Sequence, residues 1–279
     1  MTKTLGLLCI LLITACSTGK MENKEVGPKL YVFDCGHITV SDVSIFSPGH
    51  DKGKVKKLVD SCYLIRHPKG DFLWDTGLPD SLAAMEKGLQ NGPFHLKVQS
   101  TLMGQLADLG LMPKDIEMVG ISHYHFDHTG NLNNFTSSKV LIQKEEYDAA
   151  YSKNAAKFGF KPESYAKIDK KNYQVVDGDQ DVFGDGSVVI LKTVGHTPGH
   201  QSLLIRLKGQ KPIILTGDLY HFQKNRQYRR IPSFNFNVEQ TRASFVKIDD
   251  VLEKEKAELW IQHDKEQRAD RKLSPAFYQ

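Results

Sequence analysis

The chain has 279 residues and a formal net charge of +4, from 37 basic and 33 acidic side chains. That balance is too mild for a nucleic-acid footprint. A hydrophobic fraction of 40% without low-complexity tracts or internal repeats describes an ordinary globular chain, long enough for one large domain with a well-buried core.

The chain opens with Met1-Thr2-Lys3, one positive charge, followed by the apolar run Leu5 to Ile13. Ile13-Thr14-Ala15-Cys16 then has the form of a lipobox. The reading is a lipoprotein-type signal peptide over 1–15, with Cys16 acylated after cleavage; an ordinary secretory signal is the alternative. The apolar run is too short to span a bilayer, so any membrane attachment runs through a lipid at Cys16. Residues 16–28, rich in Ser, Gly, Lys, Glu and Asn, read as a flexible tether, and 29–279 as the folded domain. The protein is therefore expected to be exported, as a periplasmic or outer-membrane lipoprotein or in secreted form.

Lys29-Leu30-Tyr31-Val32-Phe33, Ser61 to Arg66 and Asp71 to Asp75 read as early strands, the third following a Pro68-Lys69-Gly70 turn. Cys35 and Cys62 lie on strand-like sequence and could pair in an oxidising compartment or stay as two buried thiols. Residues 82–110 have helical character, and Leu102, Leu106 and Leu109 share one helical face closed by Gly110 and Pro113. Ile116 to Ile121 reads as a buried strand running into Ser122-His123-Tyr124-His125-Phe126-Asp127-His128-Thr129-Gly130. This is the pattern H-x-H-x-D-H. On extended chain His123 and His125 project to the same side, and a tight turn brings Asp127 and His128 to the neighbouring point. Four ligands so close suit two adjacent metal positions. Imidazole and carboxylate without thiolate fit zinc, with other divalent first-row metals as substitutes.

Glu145 to Tyr151 looks helical, and Gly184-Asp185-Gly186 marks a hairpin between two halves in which strands alternate with helices. The apolar run Val188 to Leu191 ends in Gly195-His196-Thr197-Pro198-Gly199-His200, where His196 is read as a ligand and His200 as structural. Pro212 to Leu215 delivers Asp218, for a cation or for an Asx-turn. Lys224 to Arg230 reads as a solvated basic loop, with attraction to anionic surfaces a minor reading. Glu239 to Lys254 is helical, and Glu258 to Ile261 ends in Gln262-His263-Asp264, a third strand finishing in a metal-binding side chain. Periodicity alone gives a mixed α/β domain.

These motifs resemble the metallo-β-lactamase superfamily, and within it the N-acyl-homoserine lactonases. The likeness spans about residues 29–279 and rests on His123, His125, Asp127, His128, His196, Asp218 and His263, with Trp74-Asp75-Thr76-Gly77 and Gln262-His263-Asp264-Lys265-Glu266-Gln267 in support. It implies a four-layer αββα sandwich with the metals at one edge between the sheets. It also implies two Zn2+, one held by His123, His125 and His196, the other by Asp127, His128 and His263, with Asp218 bridging.

The implied activity is opening of the lactone ring of an N-acyl-homoserine lactone by a metal-bridging hydroxide, silencing a diffusible signal. Asp127 would carry a proton to the leaving oxygen. Lactonases of this kind often place tyrosine three residues after the bridging aspartate; here that position is His221, preceded by Tyr220, so either Tyr220 or His221 would donate to the substrate carbonyl. Asp75 would orient a ligand histidine or cap its own turn. An acyl pocket could draw on Met85, Leu89, Phe94, Phe160, Phe222, Phe234 and Phe236. Related proteins are often homodimers. Other readings are a β-lactamase, a glyoxalase II-like thioesterase, and a non-enzymatic metal-binding surface lipoprotein.

Overall fold

In the computed structural model, which describes Met1 and residues 27–279, apolar side chains alternate along the strands and so sort themselves into layers. Apart from Met1, the expected signal peptide and the tether up to residue 26 lie outside the described residues. The first half runs β1 (Lys29–Val40), β2 (Lys56–His67), β3 (Gly70–Trp74), β4 (Leu89–Asn91), β5 (Phe94–Lys97), α1 (Leu102–Asp108), β6 (Met118–Gly120), α2 (Phe126–Thr129), β7 (Lys139–Gln143), α3 (Lys144–Ala150) and β8 (Tyr173–Val176). The second runs β9 (Gln180–Asp181), β10 (Val188–Lys192), β11 (Gln201–Ile205), β12 (Ile213–Leu215), α4 (Gln223–Tyr228), α5 (Val238–Glu255), β13 (Glu258–Trp260), α6 (Lys265–Ala269) and β14 (Phe277–Tyr278).

The larger sheet has nine strands in the order β4-β5-β1-β2-β3-β6-β7-β8, with β14 added to β1; the smaller has five, β13-β12-β11-β10-β9. On β1 and β2, Leu30, Val32, Tyr63 and Ile65 face inward, where they meet Val188, Ile190, Leu203, Ile205, Ile213 and Leu215 of the smaller sheet. The intervening Tyr31, Phe33 and Leu64 face outward with Leu102 and Leu106 of α1 and Ala149 and Ala150 of α3. On the smaller sheet Leu191, Leu204 and Ile214 face outward against Phe245 and Ile248 of α5. Helices, sheet, sheet, helix: the four-layer αββα arrangement follows because successive side chains point to opposite faces and both faces of the central strands are buried. Each such side chain, fully buried, contributes roughly 1.5–3 kcal/mol.

Two sequence expectations are corrected and one open question is resolved. Residues 82–110 are not mainly helical: a 3-10 turn at Asp80–Ala84 precedes the hairpin β4–β5, and only Leu102–Asp108 forms an α-helix. The hairpin turns on Gly92, at φ +57°, and Pro93. Lys224 to Arg230 is solvent-facing as expected but is not a loop, since α4 occupies most of it, and its cations are paired. Arg226 and Arg229 meet Asp249 of α5, and Lys224 and Arg230 meet Asp51. Finally, the open question over the cysteines closes, because Cys35 on β1 and Cys62 on β2 form a disulfide.

Candidate metal centre

Parallel pairing aligns the strand ends that build the site. β3 and β6 pair in parallel, so Asp75 and the loop starting at Ser122 emerge at one edge of the larger sheet. β12 and β13 pair in parallel, so Asp218 and His263 emerge at one edge of the smaller sheet. The turn from β10 to β11 adds His196. After His125 the chain coils into α2, whose first turn carries Asp127 and His128.

Two donor groups converge. His123, His125, His196 and Asp218 form one, and Asp127, His128 and His263 the other; within each, the donor atoms lie within 4.8 Å of one another. Asp218 stands between them. Its Oδ2 lies 3.4 Å from His196 Nε2 and 3.7 Å from His123 Nε2, while its Oδ1 lies 2.9 Å from His263 Nε2 and 3.3 Å from His128 Nε2. Asp127 completes the second group at 4.0 Å from His128 Nε2 and 3.9 Å from His263 Nε2.

The far nitrogens of several imidazoles are fixed by protein acceptors. His128 Nδ1–H donates to Asp75 Oδ2 at 2.9 Å, His263 Nδ1–H to the Val59 carbonyl at 2.7 Å, and His125 Nε2–H to the Phe158 carbonyl at 3.0 Å. That leaves the remaining nitrogens facing one another: His123 Nε2 to His125 Nδ1 at 2.9 Å, His196 Nε2 to His125 Nδ1 at 3.2 Å, His263 Nε2 to His128 Nε2 at 3.3 Å. Lone pairs so close need a shared proton or cation. Although Asp218 Oδ1 sits near two imidazoles, it makes no aligned hydrogen bond, and His196 Nδ1 and both nitrogens of His221 are likewise buried without a partner. Buried polar atoms of this kind are costly. The donor set therefore fits divalent metal ions, and its lack of thiolate suits a first-row metal such as zinc.

Electrostatics agree. Burial holds His123 and His196 well below the usual imidazole range, as neutral ligands require. Burial also opposes charge on His128 and His263, but Asp218, helped by Asp75 and Asp127 respectively, outweighs it, holding His128 well above the usual range and His263 at about 9. Asp218 is well below the carboxylate range, since the surrounding histidines overcome its burial.

Supporting residues divide as follows. Asp75 orients His128: besides that imidazole it accepts from Ser122 N at 2.6 Å and Gln262 Nε2 at 2.9 Å. It holds φ +59°, a strained conformation for a non-glycine residue at the end of β3. Next to it Gly77, at φ +65°, packs against Cys35, where a Cβ would come within 2.4 Å of the Cys35 Cβ. His200 is structural, as expected: its Nδ1–H donates to the Thr193 carbonyl at 3.0 Å and its Nε2 accepts from Asp218 N at 2.9 Å, with burial lowering it to about 4. Tyr220 is not brought to the site. Fully buried, it stacks on Phe245 at 4.7 Å, on the α5 side. His221 does reach it, with Nε2 3.1 Å from Asp218 Oδ2 and its ring 4.4 Å from Phe46.

The metal-facing groups open on a cavity of about 610 Å³. Of the aromatics anticipated for it, Phe94, Phe234 and Phe236 line it. Phe160 and Phe222 are instead core side chains, while Met85 and Leu89 are exposed. Ile38, Ile45, Phe46, Leu58, Phe126 and Phe158, not anticipated from sequence, supply most of the remaining apolar wall. No local signal marks them, because they come from five separate segments.

A family model described as the metallo-beta-lactamase superfamily matches residues 56–254. An N-acyl homoserine lactonase from Bacillus sp is 32% identical over 259 residues, covering 89% of this chain and 98% of that one. One from Rhizobium radiobacter is 33% identical over 227 residues, covering 77% and 86%. Among solved structures, an N-acyl homoserine lactone hydrolase with the product N-hexanoyl-L-homoserine bound at its catalytic metal centre superposes with a TM-score of 0.80 and 30% identity, over 91% of this chain and 100% of that one.

Proposed function

The chain belongs to the metallo-β-lactamase superfamily, in the family of the N-acyl homoserine lactonases, and on that premise we propose that it hydrolyses the lactone ring of N-acyl-homoserine lactones. The observation that carries the reading is Asp218, with one oxygen toward each donor group, at the floor of an apolar cavity. Two zinc ions held by these groups would supply the attacking hydroxide and polarise the ester carbonyl. In this reading His221, beside Asp218 and packed on Phe46, would donate a hydrogen bond to the carbonyl oxygen as negative charge grows there. Asp127, on the cavity wall, would pass a proton to the leaving alkoxide. The apolar wall from Ile38 to Phe236 would take the acyl chain and exclude water from it.

Opening the ring would silence an acyl-homoserine lactone signal, and an exported enzyme would meet that signal outside the cytoplasm. We assign the chain to the exported class on its first 16 residues. No helix among the described residues is long and apolar enough to cross a membrane. Replacing Cys16 with Ser should release the protein from membranes; unchanged retention would refute lipid anchoring.

The test is turnover by zinc-loaded protein, residues 17–279, on hexanoyl- and dodecanoyl-homoserine lactone beside nitrocefin and S-lactoylglutathione, with a chelated control. Fast, chelator-sensitive opening of the lactones alone is expected. Hydrolysis of nitrocefin or the thioester instead would overturn the substrate, and two bound metals without turnover would favour a binding protein.

A further inference from the structure

Glu146 is a fully buried acid in α3, outside the donor groups. An ionisable group is expensive there unless its oxygens are needed. Both are. Oε1 accepts from the Tyr124 amide at 2.9 Å, between His123 and His125, and Oε2 accepts from the Gly199 amide at 2.7 Å, in the turn that carries His196. The first loop leaves the larger sheet and the second belongs to the smaller, so one carboxylate ties together the two segments that supply the three-histidine group. The approach is close enough that a Cβ on Gly199 would lie 2.2 Å from the Glu146 backbone nitrogen. Around it, Gln201 Nε2 donates to the Ile121 carbonyl at 2.8 Å, and Gln143 Nε2 donates to Gln201 Oε1 at 3.1 Å. Only a side chain with two acceptors can satisfy both amides. Glutamine would turn its NH2 toward one of them.

We propose that Glu146 is a positioning residue, which sets the spacing of His123 and His125 against His196 and thereby the affinity of that one metal position. For the position formed by Asp127, His128 and His263, Glu146 holds only the shared loop, at Tyr124, and makes no hydrogen bond to the segment that carries His263. The inference rests on the reading of the histidine cluster as a metal centre.

The experiment titrates metal-free wild type, Glu146→Gln and Glu146→Ala with zinc against a chromophoric chelator, and assigns the two positions by NMR of the cadmium-substituted proteins. In folded Glu146→Gln, one position should weaken by about 10- to 100-fold while the other keeps its affinity. Glu146→Ala should weaken the same position at least as far. The kcat for hexanoyl-homoserine lactone should fall with KM unchanged. Wild-type affinity at both positions in the folded variants, or equal weakening of both, overturns the proposal. Should the variants not fold, hydrogen exchange on metal-free wild type decides. The Tyr124 and Gly199 amides should be as protected as those of β7, and exchange at the rate of exposed amides overturns the clamp. Wild type that binds no zinc would refute the metal reading itself, an outcome distinct from the others.

Discussion

Side-chain direction at one extended residue decides which neighbour of Asp218 faces the cavity. Tyr220 follows the 3-10 turn Gly217–Leu219 in extended conformation, φ −138° and ψ 139°, so Tyr220 and His221 point to opposite sides. This is why sequence leaves the pair open while the convergent donor groups are legible: H-x-H-x-D-H and three strand ends announce chemistry locally, but the choice between 220 and 221 depends on how the turn is rotated. His221→Ala should lower kcat on hexanoyl-homoserine lactone by about 100-fold with zinc content unchanged, the loss typical of one removed hydrogen-bond donor. Tyr220→Phe should leave kcat at the wild-type value, since its hydroxyl is buried without a partner away from the cavity. Glu146 makes a second residue-scale prediction. Burial raises its folded-state pKa from 4.5 to about 7, so the folded chain holds this proton more tightly than the unfolded one. Its contribution to stability is complete below pH 4.5 and is lost as pH rises to about 7. Denaturant unfolding of metal-free wild type and Glu146→Gln should therefore diverge by about 3 kcal/mol across that window, with wild type relatively weaker at the alkaline end.

Among the elements, the hairpin β4–β5 is the least legible. Its segment carries enough polar and long side chains to look helical, and only Gly92-Pro93 betrays the turn. Pro93 and Phe94 at its tip form part of the cavity wall, so a register error there would move the pocket. Helices α3 and α5 are legible nearly to their ends because each buries one stripe, and α5 has Asn237 accepting from Gln240 N at its start. If the hairpin touches the acyl chain, Phe94→Ala should raise KM for dodecanoyl- more than for hexanoyl-homoserine lactone, by roughly four-fold for each methylene returned to water. Equal KM changes for both substrates would place the chain elsewhere in the cavity.

At the scale of the whole molecule, the covered strands are readable as continuous apolar runs, buried on both faces, but the order of the strands is not, because pairing partners lie far apart in sequence. Lys29 pairs with Arg66, and Leu215 with Trp260. The donors come from both sheets, so a metal held by them would tie the two halves together. Stripping zinc from protein held at 100-fold its dissociation constant should cost about 2.7 kcal/mol, a fall in Tm of about 5–10 °C measurable by calorimetry. The Cys35–Cys62 bond joins β1 to β2 directly beneath the Asp75-Thr76-Gly77 turn that steadies His128. Biosynthesis in an oxidising compartment and in a reducing cytosol therefore yields two different covalent species from one gene. Recombinant production for any of these assays is best routed through an oxidising compartment, and a preparation's free-thiol titre becomes a measure of how much of it has the support of its metal loop built in.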